Sequence, residues 1–283
     1  MLSVNTKKKI VRYYEETFID YFFVLGLWQH LGMHYGFYDR PKQPLKDAIL
    51  NMNRVLADKA SIKSGMKVLD AGCGVGGSAI WLASNKGVEV TGITLVENQR
   101  IKAEKLAKKH GVTNKTFFLV CDYFKTGFPD NSFDVVWAIE SVCYAEDKEA
   151  FLREVKRILR PHGRLVIADF WKKKSKLSPE ENELMMKWLD GWAMPELSTI
   201  TKFEDELRKA DFRNIQYDNV TDNILPFSQW LYRRGLIAYP IAKILEWLKI
   251  RSGIGTGNVK AAILQNKTLK KHLWAYVIFT AQK

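Results

Sequence analysis

The stretch Val-Leu-Asp-Ala-Gly-Cys-Gly-Val-Gly-Gly-Ser (68–78) most constrains what this chain folds into. An apolar run reaches an acidic residue and breaks into a glycine-dense turn, and helix-periodic Ala79, Ile80, Leu82 and Ala83 follow at once. A strand turning on glycines into a helix N-terminus sets backbone N–H groups against a ligand, because no Cβ blocks the approach. The glycines alone leave that ligand open, since Gly72, Gly74 and Gly77 also satisfy the G-x-G-x-x-G dinucleotide spacing. Two neighbours narrow it. Asp70 lies at the carboxyl end of the strand, where a doubly wound sheet opens its crevice; a carboxylate there is costly opposite a pyrophosphate but suits an ammonium group. A nicotinamide enzyme wants Asp or Glu about 20 residues further on. The second strand, Val-Glu-Val-Thr-Gly-Ile-Thr-Leu (88–95), ends instead in Thr94 and Leu95, and Glu97 reads as the opening of the next helix. NAD is disfavoured.

On these residues the chain resembles the class I S-adenosylmethionine (SAM) methyltransferases. Asp-Ala-Gly-Cys-Gly-Val-Gly-Gly (70–77) is similar to their first motif, and Gly92-Ile-Thr-Leu with Gln99 resembles a segment of the tocopherol, sterol and cyclopropane-fatty-acid branch. That branch replaces the usual acidic ribose ligand with this Thr-Leu…Gln set. Cys121-Asp122-Tyr123 resembles the segment whose Asp contacts the adenine amino group, and residues 133–141 and 159–167 resemble the fourth strand and the helix-turn-strand after it. The likeness runs from about residue 10 to the C-terminus and is most specific over 66–170. It implies an α/β fold: a doubly wound, seven-stranded, mostly parallel Rossmann-like sheet with an antiparallel last strand. It implies SAM as cofactor, with Asp70, Gly72 and Gly74 on the methionine portion, Thr94, Leu95 and Gln99 on the ribose and adenine edge, and Asp122 and Tyr123 on the adenine side.

Alternating strands and helices over about 66–170 agree with a parallel sheet covered on both faces. The expected organisation is a helical N-terminal lid segment (1–60), a SAM-binding core (61–170), and cap helices with the last strands completing the sheet (171–283). Within the cap, 177–194 reads as an amphipathic helix opened by the capping box Ser178-Pro-Glu-Glu181, and Thr201-Lys-Phe-Glu204 reads as the cap of another helix ending near Asp211. Strand-like 214–220 and 273–280 bracket a basic helical insertion. At 283 residues with 47% hydrophobic content, one elaborated catalytic domain is expected rather than two folds.

Cys73, Cys121 and Cys143 lack any C-x-x-C or Cys/His ligand spacing, so reduced thiols and no metal site are expected. The N-terminus shows no apolar run behind its lysines, and no apolar stretch reaches the ~18 residues that span a bilayer; a cytoplasmic protein is expected. The net charge of +13 is uneven: residues 221–283 carry ten Lys or Arg against Asp222 and Glu246, which places +8 of it in the last 63 residues. Mixed with Phe227, Trp230, Trp247 and several Leu and Ile, this composition fits either a core-packed helix with a solvated basic face or peripheral contact with an anionic lipid surface.

The segment Trp28-Gln-His-Leu-Gly-Met-His-Tyr-Gly-Phe-Tyr-Asp39 resembles an element that tocopherol-type enzymes fold over the cofactor, with Tyr35 where they carry a second His. By that resemblance His34 and Tyr35 are expected to orient substrate or cofactor, and Tyr14 to contact the cofactor. Glu140 follows the fourth strand and is the expected carboxylate near the reacting centre, as base or cation stabiliser. Trp171, Trp188, Trp192, Met185, Met186, Met194 and Phe227 offer an apolar lining, with ordinary core packing the alternative for each of them, and 218–227 resembles a tocopherol-methyltransferase element. The expected reaction is therefore methyl transfer from SAM to a lipophilic small molecule, whether isoprenoid, sterol, quinol or lipid. N- or O-methylation of a polar, alkaloid-like amine is the alternative. Nucleic acid is not an expected partner despite the basic charge, because the Asn/Asp-Pro-Pro-Tyr-like motif of amino-methylating RNA and DNA enzymes is absent after the fourth strand.

Overall fold

Strand β1 (Lys67–Ala71) is flanked by strands on both sides and buried from its second residue onward, which is why it reads as an apolar run rather than an alternating one. The computed structural model describes residues 4–26 and 30–283. Among these, β1 joins β2 (Glu89–Thr94), β3 (Thr116–Val120), β4 (Phe133–Ile139), β5 (Leu159–Lys172), β6 (Arg213–Asn219) and β7 (Trp274–Gln282) in one seven-stranded sheet. The order is β3-β2-β1-β4-β5-β7-β6, with β7 antiparallel to both of its neighbours and the remaining pairs parallel. This is the doubly wound α/β sheet that the sequence implied. From β1 the chain proceeds to β2 on one side and returns to β4 on the other, so the switch point lies between β1 and β4, and their carboxyl ends frame a crevice.

Helices α1 (Val4–Leu25) and α2 (Leu45–Lys59) precede the sheet. Crossovers α3 (Gly77–Lys86), α4 (Glu97–Lys109) and α5 (Lys148–Ile158) connect the parallel strands. After β5 come α6 (Pro179–Gly191) and α7 (Ile200–Lys209); between β6 and β7 stand α8 (Thr221–Trp247) and α9 (Gly253–Lys270). The capping box at Ser178 and Glu181 is formed with both reciprocal bonds, and Pro179 opens α6. The cap of α7 departs from expectation: Thr199, not Thr201, accepts from the Lys202 amide. Thr199 is held extended by a bridge to Lys172 at the end of β5, so the helix starts as soon as that bridge is left.

Candidate active site

The turn after β1 has the shape that its glycines dictate. Gly72 has φ +102°, and a Cβ there would sit 2.3 Å from Ser141 Cβ. Ser141 in turn donates to the Ala71 carbonyl at 2.6 Å, so the ends of β1 and β4 are drawn together across this glycine. Gly77, first residue of α3, lies under the N-terminal segment: a Cβ there would meet the Leu31 carbonyl oxygen at 2.3 Å. Only glycine permits both approaches.

The crevice so formed is a cleft of about 850 Å3. Asp70, Gly72, Gly74, Thr94, Leu95, Gln99 and Tyr123 all line it, together with Tyr14 from α1 and with His34. Asp70 is buried, and its Oδ2 has no hydrogen-bond partner among the described residues. Burial pushes its carboxyl up to about 7. An unpaired buried carboxylate is costly, and an ammonium group is the partner it lacks. Thr94 donates to Gln99 Oε1 at 2.6 Å and accepts from the Val96 amide at 3.2 Å, so the polar pair after β2 is fixed in place. The Tyr123 hydroxyl donates to the Ser141 carbonyl. Asp122 stands apart. It does not line the cleft, although Cys121 and Tyr123 on either side of it do; its Oδ2 pairs with Lys7 of α1 at 2.6 Å and its Oδ1 accepts from the Phe124 amide.

A second cleft, of about 880 Å3, adjoins the first. The two share Tyr14, Met33, His34, Glu140 and Tyr144. Glu140 is placed by strain: leaving β4 it takes φ +49°, rare for a non-glycine residue, while its amide still bonds to the Ala168 carbonyl. Its Oε1 accepts from the Tyr35 amide at 2.7 Å and from the Tyr276 hydroxyl at 2.8 Å. Burial, opposed by these two donors, raises its carboxyl to about 8. His34 Nδ1 bonds to the Tyr35 carbonyl at 2.9 Å, which makes it the protonated nitrogen. Nε2 is then a buried lone pair without a partner among the described residues. Burial lowers this imidazole to about 4, so it stays neutral. Tyr35 lines only the second cleft, with its hydroxyl donating to Gln265.

Of the apolar cap residues singled out by sequence, Trp192, Met194 and Phe227 line the second cleft. Trp171, Trp188 and Met185 do not; they are core. Trp171 stacks 4.4 Å from Phe203, Trp188 lies 5.0 Å from Trp274, and Met186 faces solvent. Trp28 lies outside the described residues. The segment from Glu140 to Tyr144, expected to project into the crevice, supplies Glu140 and Tyr144 to both clefts. Sequence reading missed Tyr276, which donates to Glu140, and in the second cleft Met33 and the α8–α9 residues Leu231, Arg234, Gly235 and Ala262. It also missed what holds the Ser141–Tyr144 loop: Asp169 accepts from the Cys143 amide, and buried Lys148 donates to the carbonyls of Val142 and Ala145.

The methyltransferase-domain family model matches residues 69–167, from within β1 to within β5, which include Asp70, Gly72, Thr94, Gln99 and Glu140 of the first cleft. The chain is 34% identical over 226 residues to 2-methyl-6-phytyl-1,4-hydroquinone methyltransferase of Synechocystis sp., covering 77% of this chain and 68% of that protein. It is 29% identical to the chloroplastic tocopherol O-methyltransferase of Arabidopsis thaliana, over 98% of this chain and 82% of the relative. In fold it resembles geranyl diphosphate C-methyltransferase from Streptomyces coelicolor, solved with Mg2+, geranyl diphosphate and S-adenosyl-L-homocysteine. The TM-score is 0.75 at 18% identity, over 99% of this chain and 98% of that one. The chain belongs to the SAM-dependent methyltransferases, in the small-molecule branch that contains the tocopherol and sterol enzymes. It is an enzyme, and SAM is its methyl donor.

Proposed function

We propose that the enzyme methylates a lipophilic small molecule of isoprenoid, quinol or sterol type, with donor and acceptor meeting at Glu140. The observation that carries this reading is the pair of adjoining clefts with Glu140, His34, Met33, Tyr14 and Tyr144 in both. The first is glycine-walled and holds the unpaired Asp70; the second is walled by Phe170, Trp192, Met194, Phe227 and Leu231. SAM supplies a methyl group already activated on a sulfonium, so the protein's tasks are alignment and exclusion of water. Asp70 binds the ammonium end, with Gly72 and Gly74 giving the methionine portion its close approach. Thr94, Leu95 and Gln99 take the ribose and adenine edge, while Tyr123, with Asp122 at the rim, closes the adenine side.

At the junction Glu140 faces both clefts and accepts the proton released by the acceptor as its nucleophile is methylated. Tyr276 and the Tyr35 amide keep the carboxyl aimed, and neutral His34 Nε2 offers a second acceptor for a hydroxyl of the substrate head. The relatives support the acceptor class, since one of them is a 2-methyl-6-phytyl-1,4-hydroquinone methyltransferase and another a tocopherol O-methyltransferase. The test is transfer of labelled methyl from SAM into an extract fractionated by polarity. Label is expected in the apolar fraction; label confined to polar amines or to RNA would overturn the reading.

A further inference from the structure

Helix α8 has its sides reversed relative to an ordinary surface helix. Gly235 and Ala242 are buried, and the side opposite them presents Ile237, Ile241, Ile244 and Leu248 to solvent, spaced 4, 3 and 4 residues apart on one helical stripe. Ile237 is 72% exposed, and Trp247 at the C-terminal end is 81% exposed with Ile250 beyond it. A contiguous apolar strip on an outer surface marks a contact site. The charge around it is net positive: Arg233 stands one turn before Ile237, Lys243 and Lys249 flank the strip, and Glu246, the sole acidic residue after Asp222, is paired with Lys243 at 3.1 Å. No described helix is long and apolar enough to cross a membrane. The same helix lines the second cleft through Leu231, Arg234, Gly235 and Ala238, on the side adjacent to the strip.

We infer that the outer face of α8 docks on an anionic phospholipid surface, with Ile237, Ile241, Ile244, Leu248 and Trp247 in the interface and the surrounding Arg and Lys on the headgroups. Apolar side chains on one face, basic groups beside them and Trp at the boundary are the parts that an in-plane helix uses at such a surface. A second copy of the chain would meet the same net positive charge on itself, so the charge favours lipid over self-association. The arrangement puts the mouth of the second cleft beside the bilayer, and a lipophilic acceptor then enters past a single helix side without crossing water. That delivery step rests on the function proposed above; the docking itself does not.

The experiment is co-sedimentation of the full chain with vesicles of phosphatidylcholine alone and of phosphatidylcholine mixed with phosphatidylglycerol, beside sedimentation velocity without lipid. The protein is expected to be monomeric and to pellet with the anionic vesicles. The combined change Ile237→Ser, Ile241→Ser and Ile244→Ser is expected to lower the partition constant at least ~10-fold; Arg233→Gln with Lys249→Gln should weaken binding in low salt only. S-adenosylhomocysteine affinity, unchanged in these variants, confirms that they are folded. Absence of pelleting, equal partition of wild type and the Ser variant, equal binding to neutral and anionic vesicles, or a dimer that the Ser changes dissolve would each overturn the inference. Vesicle binding together with methylation of polar acceptors alone would leave the docking intact and sink the proposed function instead.

Discussion

Two buried carboxyls, Asp70 and Glu140, carry the proposed chemistry and weigh on the stability of the ligand-free protein. Both are raised by burial, to about 7 and about 8. Between the unfolded value near 4 and these folded values the native state binds more protons than the unfolded one, so stability is fully present at low pH and falls as pH rises through 7 and 8. Thermal melts of the ligand-free enzyme should therefore show Tm dropping from about pH 5 to about pH 8. Asp70→Asn should flatten that slope and raise Tm at pH 8 by ~5 °C. The same variant should weaken S-adenosylhomocysteine binding at least ~10-fold by isothermal titration, because an amide cannot pair with an ammonium as a carboxylate does. Undiminished binding in Asp70→Asn would remove Asp70 from the donor site. For Glu140, kcat/KM should rise with pH to a plateau above about 8, the limb of a free-enzyme base. Glu140→Gln keeps an oxygen for Tyr35 and Tyr276, so S-adenosylhomocysteine affinity should stay within about threefold while kcat falls ~100-fold. A pH profile that keeps its limb in Glu140→Gln would assign the proton to another group.

At the scale of elements, the site depends on how closely β1, β4 and the N-terminal segment approach one another. Gly72→Ala places a methyl 2.3 Å from Ser141 Cβ at a left-handed φ. It should cost ~2–4 kcal/mol and lower Tm by roughly 5–10 °C, read by calorimetry. An unchanged Tm would mean that the two loops are looser than the geometry states. Helix α1 is anchored by buried Ile10 and Tyr13 and by Asp20, which accepts from Arg251 and Asn258. Nearer its start it carries the half-buried pair Lys7–Asp122 and the exposed pair Lys9–Asp190, and Tyr14 meets Tyr144 at 3.1 Å. Lys7→Ala should cost ~1 kcal/mol or less, with its effect read instead as a change in S-adenosylhomocysteine affinity through Asp122. These elements also divide what was legible in sequence from what was not. The first cleft is built from turns directly after β1, β2, β3 and β4, so each short motif carries its own residue to the crevice, as Asp70, Thr94, Tyr123 and Glu140 show. Capping was legible to within two residues, and Thr199 was missed because its extended pairing with Lys172 is a tertiary fact. Trp171 and Trp188 fall to the core rather than the cleft, the packing alternative that the sequence leaves open, because a tryptophan in a cap has the same composition whether it faces a cleft or a core.

For the whole molecule, the second cleft is where sequence reading ran short, since it is assembled from segments far apart in the chain. Tyr35 reaches Gln265, 230 residues away, and Tyr276 reaches Glu140 across 136. Tyr276 lies on a β7 that is apolar almost throughout, and nothing local marks it as the residue that aims Glu140. The basic charge of the C-terminal segment was legible, whereas the outward direction of its apolar stripe followed only from the packing of α8 on α9. Under the proposed function the two clefts make the size and polarity of the acceptor a property of the fold, set by the cap, while the donor is set by the sheet. The most direct measurement is kcat/KM for labelled methyl transfer to a matched pair of hydroquinones, one bearing an isoprenoid tail and one without it. Burying the tail in the second cleft should raise kcat/KM at least ~100-fold, as expected when several CH2 groups leave water at ~0.8 kcal/mol each. Equal values for the pair, or a preference for the tail-less head, would contradict an apolar acceptor site joined to the donor site at Glu140.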